Sequence, residues 1–357
     1  MHIITPYYIF DKKKFISMLQ EYQQLGEIYY PIKANDDDFI VDEVIKQSCC
    51  FEVDSIEHIT MLIKKKVAPD RILYSYPIRE DKDIKKAHKL KIKKFVVDSF
   101  VEYEHVIRII KDASFFVRLN IIDMLNLKLP PENNKWGLSA NESKELINHI
   151  RNNKNNVIGI SFYLFDTVVD KENNALEKLL DSIYKEFSGY NLKYLNIGGG
   201  ISYSVAKKLV NNFERTKAST GTEKIIIEPG THLLNPCIDM VVSVTAIKNV
   251  KNKKMIFINS GIYYGLIDVI IKKRKFIIEN FNKEKNKGPA DEITEYLICG
   301  SSSDISDYLG KYRLHKNIAV GDQLIIKECG AYSSVMQTGF YKKNKIRMTV
   351  RKDTVDG

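Results

Sequence analysis

The chain has 357 residues, 44% of them hydrophobic, more than one ordinary core needs, so two domains or one barrel with an appendage is expected. Its net charge of +10 comes from 55 Lys+Arg interleaved with 45 Asp+Glu, which reads as a solvated lysine-rich surface and not as a nucleic-acid-binding stripe. Five cysteines with no CxxC, seven histidines with no HxxxH and no apolar run of about 18 residues set aside a disulfide framework, a metal site and a membrane span, and suit a reducing cytoplasm.

Met1-His2-Ile3-Ile4-Thr5-Pro6 has no basic segment leading into an apolar one, so no signal peptide is expected. Tyr7-Tyr8-Ile9-Phe10 reads as a strand, and Asp11 to Leu25 as a helix capped by Asp11. One pattern then recurs. Short apolar runs of strand type span Ile28 to Lys33, Cys49 to Val53, Ile72 to Tyr76, Phe95 to Asp98, Phe115 to Leu119, Val157 to Leu164, Tyr194 to Ile197 and Ile225 to Ile227. Stretches of helical period separate most of them, such as Asp36 to Lys46, Ser55 to Lys65, Ser99 to Lys111 and Asn141 to His149. Strands too continuously apolar for a one-sided sheet, alternating with helices eight times, predict an α/β fold with a (β/α)8 TIM-like barrel.

After Glu228-Pro229-Gly230 the rhythm changes. Cys237 to Lys248, Met255 to Asn259, Ile262 to Ile271, Tyr296 to Cys299, Gln323 to Lys327 and Lys345 to Val350 read as strands between turns. The expected division is therefore a barrel over 5–234 and a mainly β C-terminal domain, sandwich-like or barrel-like, over 235–357 with 1–4. Lys272-Lys273-Arg274-Lys275, the densest basic cluster, reads as a charged edge strand, and Asn282 to Asp291 as an exposed loop.

The ends of the barrel strands carry the chemistry. In order they bear Lys33, Glu52 and Asp54, Tyr76, Asp98, Arg118, Tyr163 and Asp166, Gly198-Gly199-Gly200, and Glu228, and in a barrel all such ends meet on the catalytic face. Lys33, closing an apolar strand, is either a solvated end or a reactive amine. The triple glycine after Tyr194 to Ile197 lets backbone N–H groups approach a phosphate, but Tyr203 stands at the last glycine position of a GxGxxG, so no dinucleotide fingerprint is present. Glu228 can cap a turn or keep a pyridine nitrogen protonated. An amine, a phosphate cradle and a pyridinium partner together form the protein's share of a pyridoxal phosphate site.

At this point a resemblance becomes specific. Thr5 to Asp11, Tyr30-Pro31-Ile32-Lys33-Ala34-Asn35, Phe51-Glu52-Val53-Asp54-Ser55, Pro69 to Tyr74, Val117-Arg118-Leu119, Lys135-Trp136-Gly137, Asn196 to Gly200 and Ile227-Glu228-Pro229-Gly230 occur in the motif order of the fold-type III pyridoxal-phosphate decarboxylases. Gly300 to Asp307, Val320-Gly321-Asp322 and Gly330-Ala331-Tyr332 extend the series, so the chain resembles the ornithine and diaminopimelate decarboxylase family along nearly its whole length. The resemblance implies the barrel-plus-β architecture shared with alanine racemase, and pyridoxal 5'-phosphate bound covalently to Lys33. It further implies Glu228 at the pyridine nitrogen, Gly198, Gly199, Gly200 and Tyr332 at the phosphate, Arg118 near the cofactor and Tyr163 against its ring. Asp304, with Asp307 and Tyr332, is implied at the substrate, Asp304 meeting a distal ammonium from a second subunit, hence a homodimer with shared active sites. No metal, nucleic-acid or membrane partner is expected.

Three departures stand out. Ser161-Phe162-Tyr163-Leu164-Phe165-Asp166 replaces the family's Ser-Phe-His-Val-Gly-Ser, Thr231 replaces an arginine after Glu-Pro-Gly, and Ser303 replaces the cysteine expected before the substrate aspartate. A serine hydroxyl is a far poorer acid than a thiol, leaving Lys33, a water, Ser303 or Cys299 to supply the proton after carbon dioxide leaves. The leading reading is decarboxylation of an amino acid, or an amino-acid-like group, with a distal cation, in polyamine or secondary-metabolite biosynthesis. The alternatives are a non-catalytic decarboxylase-like regulatory subunit and an alanine-racemase-like enzyme, the latter opposed by Glu228 and by Gly300 to Asp304.

Overall fold

The computed structural model describes residues 4–128, 135–164, 174–282 and 292–351. Asp166, nearly all of the expected 282–291 loop, and the first three residues lie outside them. Two compact units form: one from Leu19–Lys33 and Asp42–His232, the other from the described residues of Met1–Met18, Ala34–Val41 and Leu233–Gly357.

The chain begins with β1 (Tyr7–Phe10) and a helix over Lys12–Gln23, whose Lys14 amide donates to the Asp11 carboxylate at 3.0 Å. Eight parallel strands then follow: β2 (Glu27–Pro31), β3 (Cys50–Val53), β4 (Ile72–Tyr74), β5 (Lys94–Val97), β6 (Ser114–Arg118), β7 (Asn156–Ser161), β8 (Tyr194–Asn196) and β9 (Lys224–Ile227). They pair in sequence order, and β2 pairs with β9 to close the barrel. This is the TIM-like barrel expected from the eight apolar runs.

Tyr29, Cys50, Leu73, Val96, Phe116, Ile158 and Ile226, with Tyr194 packed against them, give one residue per strand to a filled layer. Side chains alternate along a strand, so Glu52, two residues beyond Cys50, projects to the same interior face one layer higher. Gly159 makes room for this layer, because a Cβ there would lie 2.8 Å from the Phe116 ring and 2.3 Å from the Tyr194 carbonyl.

The helices after the strands start where short polar side chains can cap them. Ser55 accepts from the His58 amide, Ser99 from the Glu102 amide, and Ser139 with Glu142 forms a capping box. Between barrel and helix, Arg79 is fully buried. It donates to the Glu102 carboxylate at 2.7 Å and to the carbonyls of Tyr74 and Val96 at 2.7 and 2.8 Å.

The second unit is a mixed sheet of eight strands. β10 (Ile238–Val250), β11 (Lys253–Ile258), β12 (Ile278–Asn280), β13 (Ile293–Cys299), β14 (Tyr308–His315) and β15 (Gln323–Ile326) run in the order β12-β15-β10-β11-β13-β14. β1 pairs antiparallel with β10 and parallel with β16 (Arg347–Val350).

Two expected strands are absent. Ile262 to Ile271 is turns and a short helix, Asp268–Ile271, because Gly265 takes φ +100 and stops extension, and Asp268 pairs one turn ahead with Lys272 at 3.6 Å. Lys272 to Lys275 is likewise irregular, and the strand comes later at Ile278. β14 was not foreseen. Its alternation of buried Tyr312 and Leu314 with exposed Lys311 and Arg313 is the strand signature, masked by its charges and by Gly310.

All five cysteines are free and buried, Cys49 and Cys50 in the barrel unit and Cys237, Cys299 and Cys329 in the sheet unit.

Candidate active site

In the barrel unit Lys33, Glu52, Asp54, Arg118, the three glycines and Glu228 gather at the carboxyl face. Lys33 leaves β2 through a single turn over Ile32–Ala34, and its ammonium lies 2.7 Å from Asp54 and 3.0 Å from Glu52. Burial alone would lower this ammonium, but the charges of Glu52, Asp54 and Glu228 outweigh it and raise it above its ordinary value. Glu52 is fully buried. Its burial and the neighbouring Asp54 push its carboxyl well above the usual range. Burial also pushes Asp54 up, yet Lys33 and hydrogen bonds from Glu52 and Lys33 more than reverse this, so Asp54 carries the charge.

Across the mouth, Glu228 accepts from the Asn196 amide group at 2.7 Å, and the Asn196 side-chain oxygen accepts from the Gly198 amide at 2.9 Å. Asn196 thus ties the glycine loop to the carboxylate. The Glu228 amide closes the arrangement by donating to the Gly198 carbonyl at 2.9 Å. Desolvation raises the Glu228 carboxyl against the opposing pull of Lys33, Asn196 and Arg118. Gly198 and Gly200 take φ +66 and +76, and a Cβ on Gly198 would lie 2.2 Å from the Phe162 carbonyl. The loop's backbone is therefore wedged between the ends of β7 and β9, where only glycine fits.

Tyr163 lies beside this loop, its ring 3.9 Å from where a Gly199 Cβ would stand. Arg118 ends β6 with its guanidinium 5.8 Å from the Trp136 ring centroid, and its charge reaches Asp54 and Glu228. Thr231 opens the short helix Thr231–Leu234 after Glu-Pro-Gly.

The sheet unit holds the remaining expected residues. The Tyr332 amide donates to the Ala34 carbonyl at 2.8 Å, with φ +54. Two asparagines fix this turn: Asn35 donates to the Gly330 carbonyl, and the Asn235 side chain accepts from the Ala331 amide, both at 2.8 Å. Cys299 ends β13, and burial pushes its thiol up. Ser303 and Asp304 are exposed on the loop that follows. Hydrogen bonds from Ser306 hold the Asp304 carboxyl below its ordinary value, which keeps it anionic.

Asp307 differs from its neighbours. Its carboxylate is buried and accepts from the amides of Ile262 and Ser302 at 2.8 and 2.9 Å, with Gly261 and Gly300 closed around it. It holds the loop together.

Glu52 and Asp54 stand among the expected strand-end residues and Asn196 opens the glycine motif, but the sequence assigns none of the three a role. Their signal was there: Glu52 and Asp54 stand two apart on one strand end, and Asn196 precedes the glycines by two.

A pyridoxal phosphate site needs an amine, an acid for the ring nitrogen and a donor-rich cradle. Lys33, Glu228 and the Gly198 to Gly200 backbone supply these within one barrel mouth, so the residues fit the group. Among the described residues no cluster of His, Cys, Asp and Glu could hold a metal ion, and no helix is long and apolar enough to cross a membrane.

Comparison with known proteins agrees. Residues 12–235 match the family described as pyridoxal-dependent decarboxylase, pyridoxal binding domain. The chain is 23% identical over 341 residues to decarboxylase flvG of Aspergillus flavus, covering 90% of this chain and 79% of that one. It is equally 23% identical over 339 residues to antizyme inhibitor 2 of Xenopus laevis, covering 87% and 73%. In structure it superposes on the lysine decarboxylase of Selenomonas ruminantium with a TM-score of 0.85 at 20% identity, covering 99% of this chain and 94% of the other. With the match spanning the whole barrel, the chain belongs to the pyridoxal-dependent decarboxylases.

Proposed function

We propose that this protein decarboxylates an amino acid, or an amino-acid-like group of a larger metabolite, that carries a distal cation. The observation that supports it most is the joint placement of Lys33, Glu228 and the Gly198 to Gly200 loop at one barrel mouth. Bound pyridoxal phosphate supplies an electron sink for the pair left behind when carbon dioxide departs. Lys33 holds the cofactor, Glu228 keeps a proton at its ring nitrogen, and the glycine backbone with Tyr332 binds its phosphate. Tyr163 covers the ring. Asp304, kept anionic by Ser306, meets the distal ammonium.

The proton for the α-carbon comes from Lys33, a water, Ser303 or Cys299. Of the last two, the Cys299 thiol is disfavoured by its burial and Ser303 by its chemistry. Asp304 acts in a homodimer that shares its sites, and Ile305 beside it, 98% exposed, is the kind of residue an interface covers. Five thiols without a disulfide suit a reducing cytoplasm.

Borohydride treatment should fix pyridoxal phosphate to the peptide containing Lys33, and a carbon dioxide release screen over basic amino acids and carboxylated polyamines should return a substrate. Mixing Lys33→Ala with Asp304→Ala should restore about a quarter of the activity by subunit exchange. Likeness to a relative named as an inhibitor keeps a regulatory reading in play, and cofactor capture decides it. If Lys33 takes no label at saturating cofactor, the regulatory reading replaces the enzymatic one.

A further inference from the structure

The mouth of the barrel carries two carboxyl groups, Glu52 and Asp54, that the proposed roles do not use. We propose that Asp54 is a positioning residue that competes with the cofactor for Lys33, latching the amine to the end of β3 and making cofactor capture proton-dependent. This rests on the reading of Lys33 as the cofactor-binding amine.

The geometry is direct. Asp54 is the nearer of the two partners of the Lys33 ammonium, at 2.7 Å against 3.0 Å for Glu52, and Lys33 remains 39% exposed. Joining Lys33 to the cofactor's aldehyde needs the neutral amine. The ammonium gives one proton to a base, the nitrogen bonds the aldehyde carbon, and the aldehyde oxygen leaves as water. A carboxylate in contact with the ammonium stabilises the form that cannot react. It also offers the lysine somewhere to return when the cofactor leaves.

Among the described residues the charged groups that act on the pair come from three strand ends. Glu52 and Asp54 face Lys33 from the end of β3, Glu228 from the end of β9, and Arg118 from the end of β6 acts on Asp54 and Glu228. Glu52 and Glu228 add their fields, but Asp54 is the group in closest contact with the amine. Removing that charge should free the amine, while lengthening it to glutamate should keep the latch.

The test follows the full-length chain stripped of cofactor, given pyridoxal phosphate, quenched with borohydride at intervals and read as labelled Lys33 peptide across a range of pH. Asp54→Asn should capture about tenfold faster near neutral pH, with its midpoint lowered by about one pH unit, and Asp54→Glu should follow the unsubstituted chain. Equal rate and profile in Asp54→Asn would overturn the latch. If no cofactor labels Lys33, the decarboxylase reading fails, yet a pulse of acetic anhydride still decides this inference without cofactor. Lys33 should then acylate faster in Asp54→Asn than in the unsubstituted chain, and equal acylation overturns the proposal. Should Asp54→Asn not fold, the unsubstituted chain decides: Lys33 should acylate only at higher pH than the exposed Lys253, and equal reactivity again overturns it.

Discussion

Replacing Glu102 by leucine should be among the most damaging single changes in the barrel unit. Arg79 is fully buried and cannot shed its charge, so losing the carboxylate at 2.7 Å strands a cation whose other bonds are two backbone carbonyls. Breaking a buried pair from one side costs about 3–5 kcal/mol. At roughly 2–4 °C per kcal/mol for a unit of this size, thermal unfolding should drop by about 10 °C. Arg79→Met/Glu102→Leu removes both charges, and Arg79 already lies over the Tyr74 ring at 4.7 Å and near the Phe95 ring at 5.2 Å, so an apolar pair has surfaces to pack on. The double variant should therefore recover a large part of the loss, a coupling read from urea denaturation of the four proteins. A single Glu102→Leu costing less than about 1 kcal/mol would show that water reaches the guanidinium and that it is not buried as described.

Gly198→Ala should weaken cofactor retention and lower stability by about 1–3 kcal/mol, since φ +66 and a contact 2.2 Å from the Phe162 carbonyl both oppose a side chain; unchanged binding and stability would contradict the wedged loop. Asp307→Ala should cost about 3 kcal/mol and speed proteolysis near Ser302, whereas Asp304→Ala should leave stability alone and reduce affinity for basic substrates; the opposite pattern would exchange their roles. Glu52 should make the cofactor-free chain less stable as pH rises. Its folded carboxyl titrates above the ordinary 4.5, so the native state binds the extra proton, and the stabilisation present below 4.5 is lost as pH climbs through the folded value. Glu52→Gln should flatten that fall in urea titrations, and an identical slope in both proteins would refute the buried acid.

The barrel was legible because each strand is apolar on both faces and ends in a residue whose chemistry breaks the run. Lys33, Arg118, the three glycines and Glu228 announce themselves this way, and the structure brings them to one mouth. Long-range pairing was not legible. Tyr7 to Phe10 reads as a strand from its own residues, but its antiparallel register with Ile238 to Val241 joins segments more than two hundred residues apart. β14 escaped because sheet edges tolerate charges on alternate residues, and an apolar-run criterion discards them. In the sheet unit, residue type showed that Asp304 and Asp307 were acids of interest, but only burial separates the exposed one from the one spent on backbone amides. Asp54 was visible at a strand end, yet its meaning depends on a distance to Lys33 that spacing does not supply.

The distribution of sulfur has a practical consequence. With two thiols confined to the barrel unit, three to the sheet unit and burial pushing all five away from the reactive thiolate, the native chain should be silent to alkylating reagents. Each cysteine then becomes a clock for the opening of its own neighbourhood, readable by isotope-coded pulses without introducing any label. Cys50 in β3 and Cys329 just after β15 would time the two halves of the molecule separately, in living cells as well as in the cuvette.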